Sequence, residues 1–246
     1  MTYPPRSRIC PIVALLGIAA LLTVPGTLSA ATCAAPVPYD DLAGREIYCS
    51  FMKAVDDAGV MDACGARYFC PYELVSREDM ELFIEQGLEV KWPDPGHTIG
   101  TPTGRFSGDV PVTYGLAPWI EQLGADLIAS GCETTPPPRF CPYNLVTRAE
   151  MAVFISKAKI WSTPEQIDLS GTLPSGQSYD CHPVEQGGHS AFSDVDPGHW
   201  SCKYIHYMAV TGVTSGCETT PVLKFCPNDP TPRWQMAVFV SRAFGL

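Results

Sequence analysis

The stretch Ser130–Phe154 reads SGCETTPPPRFCPYNLVTRAEMAVF, and the stretch Ser215–Phe239 reads SGCETTPVLKFCPNDPTPRWQMAVF. The two stretches align without a gap at an offset of 85 residues. A shorter third copy lies upstream, where Ala63–Phe83 reads ACGARYFCPYELVSREDMELF. Because self-similarity at a fixed spacing indicates one repeated structural element, the chain is predicted to contain three copies of a single unit.

Each copy has a helical pattern after its cysteine-bounded loop. In the second copy Thr147 and Glu150 form a capping-box signature, which predicts a helix that begins there. In the third copy Thr231 is expected as the N-cap, with Pro232 at the first helical position. The apolar residues that follow recur at helical spacing and are Met80, Phe83 and Ile84, then Met151, Phe154, Ile155 and Ala158, and finally Met236, Phe239, Val240 and Ala243.

A second helix is predicted ahead of each loop. Its apolar positions share one face and are Met52 and Val55, Ile120 and Leu123, and Ile205 and Met208. A two-helix unit cannot bury such faces alone, so the three units are expected to pack together. The fold class predicted from these patterns is all-α, a pseudo-threefold helical bundle of three helix-loop-helix repeats joined by long irregular connectors.

The repeats also set the expected domain boundaries. We place the three repeats at residues 46–90, 116–160 and 190–246. The connectors between them, residues 91–115 and 161–189, are rich in Gly, Pro, Ser and Thr and are expected to be loops. Residues 31–45 form an N-terminal segment before the first repeat.

The first 30 residues have the pattern of a signal peptide. Arg6 and Arg8 precede the apolar run Ile12–Val24, which is too short to span a bilayer. The protein is therefore expected to be exported to the cell surface, the periplasm or the extracellular space. No transmembrane segment is expected after signal cleavage.

Composition narrows the function classes. Hydrophobic residues make up 46% and charged residues 17% of the chain, so most of it should fold. Lys plus Arg number 16 against 26 Asp plus Glu, a net charge of −10. A protein that binds nucleic acid through its backbone needs a basic face, so no nucleic-acid partner is expected. The 11 cysteines are typical of an oxidising compartment.

Ten of these cysteines lie outside the leader and follow the repeats. Three pairs bound the equivalent loop of the three copies: Cys64 and Cys70, Cys132 and Cys141, and Cys217 and Cys226. Cys49 and Cys202 also occupy equivalent positions, and each has one upstream cysteine left as a partner, Cys33 and Cys181 respectively. This placement predicts five disulfides.

The third repeat resembles a surface-layer homology (SLH) repeat. The residues that carry the resemblance are Phe192-Ser-Asp-Val195, His199-Trp200, Tyr204-Ile205, Gly212-Val213, Gly216, Phe225, Pro227 and Arg233 through Met236. The second copy supplies the family's motif Thr147-Arg148-Ala149-Glu150-Met151. The resemblance covers residues 47–246, and three tandem repeats is the usual number in this family.

The resemblance implies non-covalent attachment to cell-wall or surface polysaccharide, typically an anionic polymer held in grooves between repeats. The glycan-binding residues that it implies are Arg77, Arg148 and Arg233, with Asp194 and Trp200. A guanidinium group can bind a carboxylate with two hydrogen bonds, and an indole can stack on a sugar face. On this basis the protein is expected to be non-catalytic and to need no cofactor.

No single repeat has every element of the family pattern. The third repeat has Gln235 where the family motif has Glu, and the second has only Phe106-Ser-Gly-Asp109-Val110 as an entry segment. The first repeat lacks the entry segment altogether. The alternative hypothesis is therefore a secreted structural or protein-interaction module that has lost glycan binding. In that case each Arg pairs with local acids or with carbonyl groups at the helix start.

Two further kinds of site were weighed against this. Cys181, His182, His189, His199 and Cys202 gather in one region, but they lack the spacing of a zinc motif, so no metal is expected. No ligand role is assigned to His97 or His199, which are expected in loops, or to His206, which is expected at a helix rim. A glycosidase is a remote alternative because two suitably spaced carboxylates suffice; the candidates are Glu121, Asp126, Glu133 and Glu150.

Overall fold

The computed structural model describes residue 33 and residues 38–43, 45–93, 97–161 and 166–246. The predicted signal peptide, residues 1–30, lies outside the described residues. The α-helices in the described ranges are α1 (Cys49–Asp57), α2 (Arg77–Lys91), α3 (Ala117–Ala125), α4 (Arg148–Lys159), α5 (Cys202–Val210) and α6 (Arg233–Phe244). Strands β1 (Ser170–Thr172) and β2 (Ser178–Asp180) pair antiparallel, and short 3₁₀ turns lie at Glu46–Tyr48 and Val184–Gln186.

The prediction of an all-α fold is wrong. Helices make up 36% of the described residues, and most of the remainder is irregular. The connector 161–189, expected to be a loop, contains the two strands, which register Ser170 opposite Asp180. They turn at Gly176, whose positive φ of 93° suits glycine. The hairpin is held because the Tyr179 side chain is buried against the third repeat.

The predicted apolar helix faces do form the core. Every apolar position named for the six helices is at most 6% exposed, and the residues belong to one hydrophobic cluster. Met80, Met151 and Met236, which are equivalent in the three repeats, are fully buried. One shared core follows, as the incomplete faces of single repeats require.

The helices pack in a cyclic order. The second helices of the repeats, α2, α4 and α6, contact one another at the centre. Each first helix packs on the second helix of the preceding repeat: α3 lies on α2, α5 lies on α4, and α1 lies on α6. The contact between α1 and α6 joins the first repeat to the third, so the chain closes on itself.

Three backbone hydrogen bonds tie the repeats together where the central helices begin. The N–H of Val75 donates to the carbonyl of Thr231 at 2.9 Å, Thr231 donates to Val146 at 2.9 Å, and Val146 donates to Val75 at 3.0 Å. These three equivalent residues precede the N-caps of α2, α6 and α4. The three bonds form a ring that includes every repeat.

This ring explains an error in the predicted start of α6. The capping boxes of α2 and α4 are present, and that of α4 joins Thr147 and Glu150 as predicted. In α6, however, the N-cap is Pro232 and the helix begins at Arg233. Thr231 takes part in the backbone ring instead, and its hydroxyl is buried with no hydrogen-bond partner among the described residues.

The unpaired hydroxyl gives a testable consequence for stability. Replacing Thr231 by Val keeps the side-chain shape and matches Val75 and Val146 at the equivalent positions. Removal of an unpaired buried hydroxyl should raise the free energy of unfolding by about 1 kcal/mol, as measured by guanidinium denaturation. The matched variant Val146→Thr should lower it by a similar amount. A loss of stability in Thr231→Val would show that the hydroxyl is paired.

The structure contains five disulfides, and they are the pairs that the repeat spacing predicts. Three close the equivalent loops, Cys64–Cys70, Cys132–Cys141 and Cys217–Cys226. The other two, Cys33–Cys49 and Cys181–Cys202, attach the preceding segment to the start of a first helix. Loop closure of this kind restricts the unfolded chain and so stabilises the fold.

Candidate functional site

An aspartate holds the cysteine-bounded loop in each repeat. The Asp194 carboxylate accepts hydrogen bonds from the backbone N–H groups of Phe225 and Cys226 at 2.8 and 2.7 Å. Asp109 accepts the equivalent bonds from Phe140 and Cys141 at 2.7 Å each. The entry aspartates in these two repeats thus have a structural role, which is to fix the loop.

The first repeat has the same device, although the sequence analysis assigned it no entry segment. Asp41 accepts from the N–H groups of Phe69 and Cys70 at 3.0 and 2.7 Å. The Tyr39 ring packs against Phe69 at 5.4 Å between centroids, the same separation as between Phe106 and Phe140. The first repeat therefore begins near Tyr39. Its signal in the sequence is Tyr-Asp-Asp-Leu, which differs from the Phe-Ser-Asp-Val of the third repeat only by similar side chains.

The three predicted glycan-binding arginines link each repeat to the next. Their Nε atoms donate to the carbonyl of the loop phenylalanine in the following repeat. Arg77 donates to Phe140 at 2.8 Å, Arg148 to Phe225 at 2.7 Å, and Arg233 to Phe69 at 3.1 Å. The last of these bonds joins the third repeat back to the first.

Each of these guanidinium groups also lies between two phenylalanine rings of the following repeat. The Arg148 guanidinium carbon is 4.6 Å from the centroid of Phe225 and 5.5 Å from that of Phe239. Arg77 and Arg148 are only 4% and 2% exposed, whereas Arg233 is partly exposed. The arginines are thus buried at the contacts between repeats, and any ligand must reach them through a groove.

The three arginines differ in the side chain that faces them from the next repeat. Arg77 Nη1 lies 3.6 Å from Oε1 of Glu150, which forms an ion pair with it. At the equivalent position for Arg148 stands Gln235, whose Oε1 accepts a hydrogen bond from Nη1 at 2.6 Å. The replacement of glutamate by glutamine leaves Arg148 facing an amide, so its charge is not neutralised there.

Burial at this point affects the Arg148 guanidinium. Loss of water lowers its pKa to about 10, against the opposing charges of Asp229 and Asp194, so the group stays charged at neutral pH. Its Nη2 atom is buried and has no hydrogen-bond partner among the described residues. A planar guanidinium with a free donor is suited to an anionic oxygen.

Arg148 lies in a groove of about 490 Å³ to which all three repeats contribute. Arg45 and Tyr48 line it from the first repeat, and Trp234, Gln235 and Arg242 line it from α6. The groove therefore holds three arginines together with two aromatic side chains. The Tyr48 and Trp234 rings stack at 4.6 Å between centroids, and the Arg45 guanidinium lies 4.7 Å from the centroid of the Trp234 ring.

The remaining predicted site residues lie elsewhere. Trp200 is 57% exposed and does not line the groove. Asp194 acts in its loop, as described above, although its charge opposes the fall in the pKa of Arg148. Arg233 Nη2 donates to the carbonyl of Asp62 at 2.7 Å, on the contact between the third and first repeats. The structure thus brings together only Arg148, of the five predicted residues, with the groove.

Three groove residues were missed by the sequence analysis: Arg45, Trp234 and Arg242. Trp234 stands in the third repeat's version of the family motif, where the second repeat has Ala149, so its sequence position gave a usable signal. Arg45 lies in the segment assigned to no repeat. Its approach to α6 depends on the closure of the cycle, which no local pattern indicates.

The carboxylates considered for a glycosidase have structural partners. Glu121 accepts hydrogen bonds from Thr103, Gly104 and Arg105 and anchors the connector, with contacts from 2.5 to 3.0 Å. These bonds lower its pKa although burial alone would raise it. Glu150 caps α4, and Glu133 lies near Arg139 on an exposed loop. These contacts fix the backbone around each carboxylate.

His206 is not at a helix rim as expected. It is fully buried, its ring stacks on Tyr179 at 4.3 Å, and burial lowers its pKa. Its Nδ1 lies 2.8 Å from the carbonyl oxygen of Cys202, so the neutral ring can donate there. The side chain therefore supports the hairpin from below.

Comparison with known proteins adds no relative. No family model matches the chain, and no curated protein matches it. The resemblance to SLH repeats thus rests on the residues quoted above. No helix in the described part of the chain is long and apolar enough to cross a membrane.

Proposed function

We propose that this protein is an exported, non-catalytic component of the cell envelope that binds an acidic polysaccharide in the groove at Arg148. The observation that carries the proposal is the position of Gln235. Two of the three equivalent arginines face an acid, Glu150 or Asp79, whereas Arg148 faces an amide. Only this arginine combines a buried guanidinium charge with an open groove beside it.

The lining of the groove supports a sugar ligand that carries a carboxylate. Arg45, Arg148 and Arg242 supply three positive charges in a chain whose net charge is −10. Trp234 and Tyr48 supply aromatic surface, on which the apolar face of a sugar ring can pack. Charge and aromatic surface together favour an acidic glycan over a simple anion. The five disulfides are consistent with export.

A second candidate is a structural or protein-interaction module without a glycan ligand. The structural roles of Arg77, Arg233 and Asp194 favour it, because each stabilises the fold without a ligand. The net charge of −10 also disfavours association with an acidic polymer at low salt. The two candidates differ in one respect, which is whether the groove binds an anion.

Co-sedimentation with cell-wall sacculi separates these candidates. We expect the exported chain to pellet with the sacculi and to be released progressively by added salt, because exposed arginines in the groove contribute part of the affinity. Reduction of the carboxyl groups of the wall polymer to alcohols should abolish pelleting, which controls for neutral sugar binding. A chain that stays in the supernatant with every envelope fraction would favour the structural module.

A further inference from the structure

Two glutamates one helical turn apart on α2 lie inside the protein. Glu81 and Glu85 both have 0% exposed surface. Neither carboxylate has a hydrogen-bond partner within the part of the chain that the structure describes. Burial raises the pKa of Glu81 well above its usual range and that of Glu85 to about 7. Buried carboxylates of this kind are stable when a cation or several donors compensate their charge.

His97 and Asp126 complete a cluster beside Glu85. His97 Nε2 lies 2.9 Å from Asp126 Oδ2, with hydrogen-bond geometry, and 3.0 Å from Glu85 Oε2 without it. The imidazole is 3% exposed, and Trp161 packs edge-on against it at 4.8 Å between ring centroids. The cluster is therefore shielded from water and lies where α2, the end of α3 and the first connector meet.

Protonation of His97 alone does not balance this cluster. An imidazolium carries one positive charge against the three carboxylates of Glu81, Glu85 and Asp126. Its Nε2 proton is directed to Asp126, and its Nδ1 is buried with no hydrogen-bond partner in the described ranges. A charged N–H and a carboxylate would thus both remain unpaired inside the protein, which is unfavourable for each group.

We propose that Glu85, His97 and Asp126 bind a divalent transition-metal ion such as Zn²⁺. One ligand atom from each lies within 4.8 Å of the other two. Zinc ligands about 2.0–2.2 Å from the ion stand about 3 Å apart, which matches the separations from His97 Nε2. One imidazole and two carboxylates suit zinc or manganese better than calcium, because calcium takes oxygen ligands.

The surroundings fit a structural metal site. Asp126 Oδ1 accepts a hydrogen bond from Gln122 Nε2 at 3.2 Å, which orients the carboxylate as outer-shell partners do. Glu81 adds negative charge one turn away on α2. The bound ion would join α2 to α3 and to the connector. The three ligands are 12 and 29 residues apart, too widely spaced for a short zinc motif, which is why the sequence analysis assigned His97 no ligand role.

Metal titration of the exported chain tests this site. The protein is treated with EDTA, dialysed, and titrated with Zn²⁺ in competition with a chromophoric chelator. We expect one equivalent to bind and the midpoint of thermal unfolding to rise with Zn²⁺ concentration. His97→Ala and Glu85→Gln should weaken binding by at least about 100-fold, since even outer-shell changes cost roughly 10–100-fold. The disulfide-bonded cysteines do not compete for the ion.

A surface pair provides the matched control. His182 Nδ1 lies 2.5 Å from Asp180 Oδ1 but is partly exposed, so His182→Ala should leave Zn²⁺ binding unchanged. If His97→Ala does not fold, the visible absorption of the wild-type Co²⁺ complex and its loss in Glu85→Gln provide the test. Wild-type protein that binds no Zn²⁺ or Co²⁺, or equal affinity in Glu85→Gln, would overturn the proposal.

Discussion

A chain that ends at Lys159 is expected to lose cooperative unfolding and to aggregate. The truncation removes α5 and α6, and α6 contacts α1, α2 and α4. It also removes Thr231 from the backbone ring and the Phe225 carbonyl that binds Arg148. The apolar faces of the remaining helices would then be exposed to water, which costs about 25 cal/mol for each Å².

Thermal unfolding followed by circular dichroism, with sedimentation velocity in parallel, measures this effect. The complete chain should show one sharp transition, whereas the fragment should show low helicity and no sharp transition. As a control, adding the missing fragment, residues 160–246, should restore the transition, because the contacts between repeats do not require a covalent link. A fragment that melts as sharply as the whole chain would refute the shared core.

The features that the sequence predicts well are those set by local spacing. The apolar faces of the helices follow from 3.6-residue periodicity, and Met80, Met151 and Met236 are all buried. The disulfide pairs follow from equivalent positions in the copies. Capping boxes at α2 and α4 follow from a polar residue and an acid three residues apart. Each signal lies within one repeat.

The features that the sequence does not predict are set between repeats. Arg148 was assigned to a ligand, but its Nε binds the Phe225 carbonyl, 77 residues away. Thr231 has the residue type of a helix cap, yet the backbone ring takes it. The hairpin of β1 and β2 forms because Tyr179 finds a buried partner in His206, which no local pattern in the connector reveals. Packing between distant segments decides all three.

The same division applies to the candidate site. The importance of Arg148 follows from the family motif, and Gln235 is visible in the sequence as a departure from it. In the sequence that departure weakens the motif. In the structure it leaves Arg148 without the ion pair that Glu150 gives Arg77, and it therefore favours an anionic ligand. The meaning of the substitution depends on which arginine it faces.

Replacing Arg148 by Lys should weaken polysaccharide binding by roughly ten- to more than a hundredfold. Lysine keeps the positive charge but cannot donate to Phe225, Gln235 and a ligand carboxylate at once. The loss of a charge-assisted hydrogen bond costs about 1.5–3 kcal/mol, which corresponds to this change in affinity. A contact that depended on charge alone would change little.

Arg77→Lys is the matched control for this variant. Arg77 makes the same type of bond to a loop carbonyl and lies between the same type of rings, so both variants should lose similar stability. Arg77 does not line the groove, however, and it is paired with Glu150. A difference in binding between the two variants therefore reports on the groove and not on the fold.

The most direct test is calorimetric titration of soluble, acidic cell-wall polysaccharide into wild type, Arg148→Lys and Arg77→Lys, each first shown to be folded. If the groove at Arg148 is the binding site, wild type and Arg77→Lys will bind with similar affinity and Arg148→Lys will bind at least about tenfold more weakly. Equal binding by all three proteins, or no binding by wild type, would contradict the assignment of this groove.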